Sequence, residues 1–160
     1  MESELEHFDH VGIAVWSTDK ALQVYRDILG AKVTMYKEIG TSRDYTFTQF
    51  LLGNQRIELI EPIGQSDSFL TRFLNRWGEG MHHLTFQVKD IGRTSAYLKS
   101  KGLKITDELL EDPIWKTAFV SPNSTNGVLI QLYETQPGSI YDHGSFKENI
   151  SGPQTIAKVS

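Results

Sequence analysis

Phe8-Asp9-His10-Val11-Gly12-Ile13-Ala14-Val15 and Met81-His82-His83-Leu84-Thr85-Phe86-Gln87-Val88 follow one pattern, with His10 and His83 separated by 73 residues. Each stretch alternates in the manner of a strand with one face on a core. In the first, His10, Gly12 and Ala14 share one face, and Phe8, Val11, Ile13 and Val15 lie mostly on the other. In the second, His83, Thr85 and Gln87 oppose Leu84, Phe86 and Val88, and His82 points away from His83. The apolar faces require helices to cover them, which leaves both histidines on the opposite, polar face.

The pattern extends outward from both copies. Ser17 to Leu29 has helical spacing with Gly30 as its stop, and Asp90 to Lys101 does the same ahead of Gly102. Strands are expected at Tyr45–Leu52 and Lys116–Val120. The runs Arg56-Ile57-Glu58-Leu59-Ile60-Glu61 and Leu129-Ile130-Gln131-Leu132-Tyr133-Glu134 close the copies, each preceded by a turn signal, Gly53-Asn54 or Asn126-Gly127. Glu58 and Gln131 are again 73 apart and stand opposite the apolar row of their strands. Each half therefore has the order strand, helix, three strands, over about residues 8–62 and 81–134. A linker, 63–80, carries a short helix in which Phe69, Phe73, Leu74 and Trp77 form the packing stripe. Together 1–134 make one domain of α+β class, two tandem βαβββ modules. Residues 135–160, rich in Gly, Pro and Ser, form a peripheral or disordered tail.

Units of about 55 residues are marginal alone, so the two must pack or join. Duplication sets equivalent residues around an approximate two-fold axis, where His10, Glu58, His83 and Gln131 would meet. Two imidazoles, one carboxylate and one amide oxygen suit a single divalent first-row ion with positions open to water or substrate. The alternative at this point is that the histidines are inherited copies with no ion. His7 and His143 are expected in terminal segments as bystanders.

Composition excludes several classes. The 160 residues include no cysteine, which removes disulfide scaffolds, zinc fingers and cysteine nucleophiles. A net charge of -4 disfavours a nucleic-acid partner. No apolar run approaches the length of a membrane helix. The acidic, polar start Met1–His7 is unlike a secretory signal, which leads to a cytoplasmic expectation.

The stretches Phe8–Val15, Gly53–Pro62, Gly80–Asp90 and Gly127–Glu134 resemble the vicinal oxygen chelate superfamily, and within it the methylmalonyl-CoA epimerase branch. The resemblance runs over about residues 7–134. It implies a cupped, pseudo-two-fold mixed sheet around one divalent metal ion (cobalt, nickel, manganese, zinc or iron), with His10, Glu58, His83 and Gln131 at the family's ligand positions. It implies a metal-stabilised enolate, a small-molecule substrate such as an acyl-CoA thioester, and a homodimer. A glyoxalase-like lyase, a dioxygenase and a metal-free binding protein are the other activities this fold carries. The chain departs from the branch in three places. Gln131 replaces a last-strand carboxylate and cannot accept a proton. Glu111-Asp112-Pro113-Ile114-Trp115 replaces a glycine-containing loop, and Gly40–Asp44 lacks the Glu-Gln-Gly run. Glu58 is then the candidate proton-transfer carboxylate, with Glu38 and Asp44 as alternative bases.

Overall fold

A computed structural model describes residues 5–64, 67–113 and 115–137. The first module comprises β1 (Leu5–Ala14), α1 (Thr18–Tyr25), β2 (Lys32–Ile39), β3 (Tyr45–Leu52) and β4 (Gln55–Pro62). After α2 (Phe69–Trp77), the second comprises β5 (Gly80–Val88), α3 (Ile91–Ser100), β6 (Ile105–Leu109), β7 (Trp115–Val120) and β8 (Ile130–Thr135). All eight strands form one mixed sheet in the order β2-β3-β4-β1-β5-β8-β7-β6. The modules join edge to edge through antiparallel β1 and β5, and each first strand runs parallel to the last strand of its module. The βαβββ repeat and its pseudo-two-fold are therefore as the sequence indicates.

Each module has its own core on the helix-covered face. Leu22 of α1 packs with Val15, Ala31, Phe50 and Leu59, while Ile91 of α3 packs with Val88, Ala118, Val120 and Leu132. Burying side chains of this size contributes about 1.5–3 kcal/mol each. The helix starts obey local chemistry. Ser17, Ser68 and Asp90 accept backbone N–H groups at the starts of α1, α2 and α3. A second brace is duplicated as well. Glu61 Oε2 accepts from Thr18 N and Glu134 Oε2 from Ile91 N, both at 2.8 Å, so the last strand of each module caps the first turn of its helix.

Helix α2 lies on the other face. Leu70 and Leu74 pack on Ala14 and Ile60, which share the His10 and Glu58 side of β1 and β4. Its Phe69 and Phe73 rings also cover the His82 ring.

Three expectations need correction. α1 ends at Tyr25, not Leu29, because the N–H groups of Asp27 and Leu29 reach back five residues, to Leu22 and Val24, and unwind the last turn. Ile28 is consequently 75 % exposed. In α2 the buried row is Leu70, Thr71 and Leu74, while Trp77 is 68 % exposed and stacks under Arg76. His7 is part of β1, which begins at Leu5. The tail proposed for 135–160 starts where β8 ends. From residue 138 onward, His143 included, it lies outside the described residues.

β1 and β5 both carry β-bulges at the seam. Phe8 pairs with Phe86 and His10 with Thr85, which leaves Asp9 as an extra residue. Gly12 pairs with His83 and Ile13 with Met81, which leaves His82 as another.

Candidate metal centre

The polar floor of the sheet brings His10, Glu58 and His83 together, with one ligand atom from each lying within 4.8 Å of the others. Glu58 Oε1 is 3.6 Å from His10 Nε2 and 3.9 Å from His83 Nε2. Register explains this: Gly12 pairs with Glu58 on one side and with His83 on the other. A Cβ on Gly12 would lie 2.1 Å from Cε1 of His83. The missing side chain is thus the space into which that imidazole lies across β1.

Each group is held from behind. His10 Nδ1 bonds Asp9 Oδ2 at 2.6 Å. Asp9 in turn accepts from Arg56 at 2.9 Å and from the Tyr133 hydroxyl at 3.1 Å. Gln49, directly opposite Glu58 in the β3–β4 ladder, donates Nε2 to Glu58 Oε2 at 2.9 Å. That leaves Glu58 Oε1 turned to the imidazoles. His82 Nδ1 lies 2.9 Å from His83 Nδ1, its ring against Phe69 and Phe73 of α2. Sequence alternation misses Asp9 because a bulge turns two successive side chains to one side.

Gln131 stands on the same face, one residue removed from His10. Thr85 Oγ1 donates to Gln131 Oε1 at 2.9 Å and lies 3.0 Å from His10 Nε2. Because Thr85 spends its single proton on Gln131, its oxygen accepts from His10. Gln131 Nε2 donates to Thr117 at 3.4 Å. Glu38 and Asp44 do not join the cluster: Glu38 is exposed on the edge strand β2, and Asp44 is bonded by Ser42 in the loop before β3.

The electrostatics hold His10 and Glu58 as a buried charged pair. Burial alone would lower the His10 pKa. The Glu58 charge and the Asp9 hydrogen bond outweigh it and hold His10 up at about 9. Burial likewise works against Glu58, and the adjacent His10 charge overcomes it, keeping the carboxylate down at about 2. His83 is pushed down to about 3 by burial and by His10, and is neutral. Its Nε2 is buried and has no hydrogen-bond partner among the described residues. An orphaned imidazole nitrogen facing a carboxylate and a second imidazole fits a divalent cation, since the cation would satisfy the lone pair that nothing else meets. Two histidines and one carboxylate form a donor set for first-row divalent ions.

Paired βαβββ modules with such a set on the seam between them define a class of small metalloproteins. The chain belongs to the glyoxalase/bleomycin resistance protein/dioxygenase superfamily, whose family model matches residues 9–119. The uncharacterized protein YqjC of Bacillus subtilis is 30% identical over 141 residues, 87% of this chain and 99% of that protein. The mitochondrial methylmalonyl-CoA epimerase of Homo sapiens is 36% identical over 135 residues, 80% of this chain and 73% of the human one. Among solved structures, methylmalonyl-CoA epimerase from Mycobacterium tuberculosis superposes with a TM-score of 0.74 at 28% identity, covering 86% of this chain and 93% of that one.

Proposed function

We propose that this protein is a divalent-metal-dependent isomerase or epimerase that moves a proton at the carbon beside a thioester carbonyl, with a small acyl-CoA as substrate. The observation that carries the reading is the buried Nε2 of His83, which faces Glu58 and His10 and has no hydrogen-bond partner among the described residues. Similarity to methylmalonyl-CoA epimerases supports the substrate class. His10, Glu58 and His83 would hold the ion, with the amide oxygen of Gln131 as a weak fourth donor. When bound, a divalent ion supplies positive charge at the substrate oxygens and makes the neighbouring C–H more acidic.

The chain's own groups divide the remaining work. Asp9 and Gln49 hold His10 and Glu58 in place. Glu58 is the carboxylate that faces both imidazoles, and we assign it the proton transfer. Asp9 is turned to the Nδ1 side of His10 and is already engaged by His10, Arg56 and Tyr133. Gln131 cannot relay a proton and can only accept or donate hydrogen bonds. The resemblance supports a homodimer, and the cysteine-free composition agrees with a cytoplasmic setting.

Elemental analysis together with deuterium exchange tests the proposal. The purified chain should carry about one equivalent of a first-row ion and wash deuterium from solvent into methylmalonyl-CoA. The double variant His10→Ala, His83→Ala should lose both properties. Glu58→Gln should slow exchange by about 10²–10⁴-fold. A chain that binds no ion when offered an excess would refute the metalloenzyme. Metal binding without exchange would refute the acyl-CoA substrate.

A further inference from the structure

Asp9 and His82 occupy equivalent places, each the extra residue of a bulge and each one position before a histidine of the centre. Both therefore reach Nδ1 of the histidine that follows, at 2.6 and 2.9 Å, from the side away from Glu58. With Nδ1 engaged, it is Nε2 of each ring that faces the carboxylate.

The two braces differ in chemistry. Asp9 as a carboxylate can only accept, and Arg56 and Tyr133 fix its direction. A neutral His10 beside it must keep its proton on Nδ1 and present the Nε2 lone pair. His82 is an imidazole that can donate or accept, and its neighbours on α2 are the rings of Phe69 and Phe73. It permits either tautomer of His83. His10 has only to give up its Nε2 proton, its Nδ1 proton already in place, whereas His83 can also have to move a proton from one ring nitrogen to the other.

We infer that Asp9 and His82 are positioning residues of unequal strength. Asp9 makes His10 the pre-set anchor of the metal centre, and His82 leaves His83 as the adjustable ligand. This assignment rests on the metal reading given above.

The test uses the full chain, stripped of metal and titrated with Zn²⁺ against a chromophoric chelator, with thermal unfolding followed in parallel. Asp9→Asn keeps the size but can present a donor to Nδ1. It should weaken Zn²⁺ by about 10–100-fold, the usual loss when such a brace is removed. His82→Gln should weaken it by clearly less. Equal or reversed losses overturn the assignment, as does an Asp9→Asn protein with lowered melting temperature and unchanged affinity. If Asp9→Asn does not fold, Tyr133→Phe removes one of the bonds that aim Asp9 while keeping the ring. It should give an intermediate loss, and unchanged affinity there is equally fatal. In the Zn²⁺-loaded wild type, nitrogen-15 spectra of the imidazoles should show a proton on His10 Nδ1, and its absence overturns the proposal. A wild-type chain that takes up no Zn²⁺ fails at the metal reading and takes this inference with it. Wild-type binding with an indifferent Asp9→Asn variant sinks the positioning role alone.

Discussion

Gly12 shows how much one side chain decides when it is absent. Its conformation does not require glycine, but its position does, because the His83 ring lies where a Cβ would project. The equivalent position in the second module is Thr85, whose hydroxyl meets His10 Nε2. Gly12→Ala should therefore leave the two cores intact and displace His83 from Glu58. The expected result is a folded protein whose ion affinity falls by at least about 10-fold, read by metal titration beside circular dichroism. Retained affinity would mean that the ring has another place to go. The candidate ligands are legible in the sequence through offset and parity alone, since both histidines and Glu58 share the concave face. Gln49 is legible in the same way. The Gly53-Asn54 turn pairs Leu52 with Gln55 and, counted onward, Gln49 with Glu58. Asp9 is not, because nothing in an eight-residue run announces a bulge.

At the scale of elements, strand periodicity fixes the limits of β3 more closely than helix periodicity fixes the end of α1. β3 has the expected limits, and α3 begins at its expected cap, Asp90. The helices differ from expectation at Ile28, Leu29 and Trp77, apolar residues at helical spacing that face solvent. In α2, Leu70 and Leu74 are the buried pair on the sheet, Phe69 and Phe73 meet it through the His82 ring and Tyr45, and Trp77 faces solvent. Such choices depend on what stands opposite, and a single chain's spacing does not supply that. The braces from Glu61 and Glu134 to their helices are a clearer case of element-level design. Glu134 also pairs with Lys116 at 2.8 Å, a partly exposed contact of small worth. Glu134→Gln should weaken the α3 start and cost about 0.5–2 kcal/mol, the range for losing a helix cap. Urea unfolding measures it. A loss confined to the Lys116 pair would instead be reproduced in full by Lys116→Met.

For the whole molecule, the centre makes stability depend on pH in a way that a bound ion would change. His10, raised from 6.5 to about 9 in the fold, contributes stability that is complete below pH 6.5 and is lost as pH climbs toward 9. His83 and His82 are shifted the other way, to about 3 and about 4, chiefly by burial. Their contribution is complete above pH 6.5 and falls away in acid. Glu58, lowered from 4.5 to about 2, adds a further loss at still lower pH. The metal-free protein should thus be most stable near pH 6.5. Urea midpoints at about pH 5 and about pH 8.5 should both lie below it. A midpoint that rises steadily to pH 8.5 would show that His10 is not held protonated. Saturating Zn²⁺ should remove much of the alkaline loss by replacing the proton on His10.

The seam between β1 and β5 adds a thermodynamic consequence. Neither module owns the centre, since His10 and Glu58 come from one and His83 from the other. Closure of the seam and occupancy of the centre are then a single linked equilibrium. An ion present at 100 times its dissociation constant would tighten the union of the halves by about 2.7 kcal/mol. Every excursion that parts β1 from β5 would release it. For a duplicated protein this makes the ion a rivet as well as a reagent, and the cell's free-metal level a setting of its mechanical integrity.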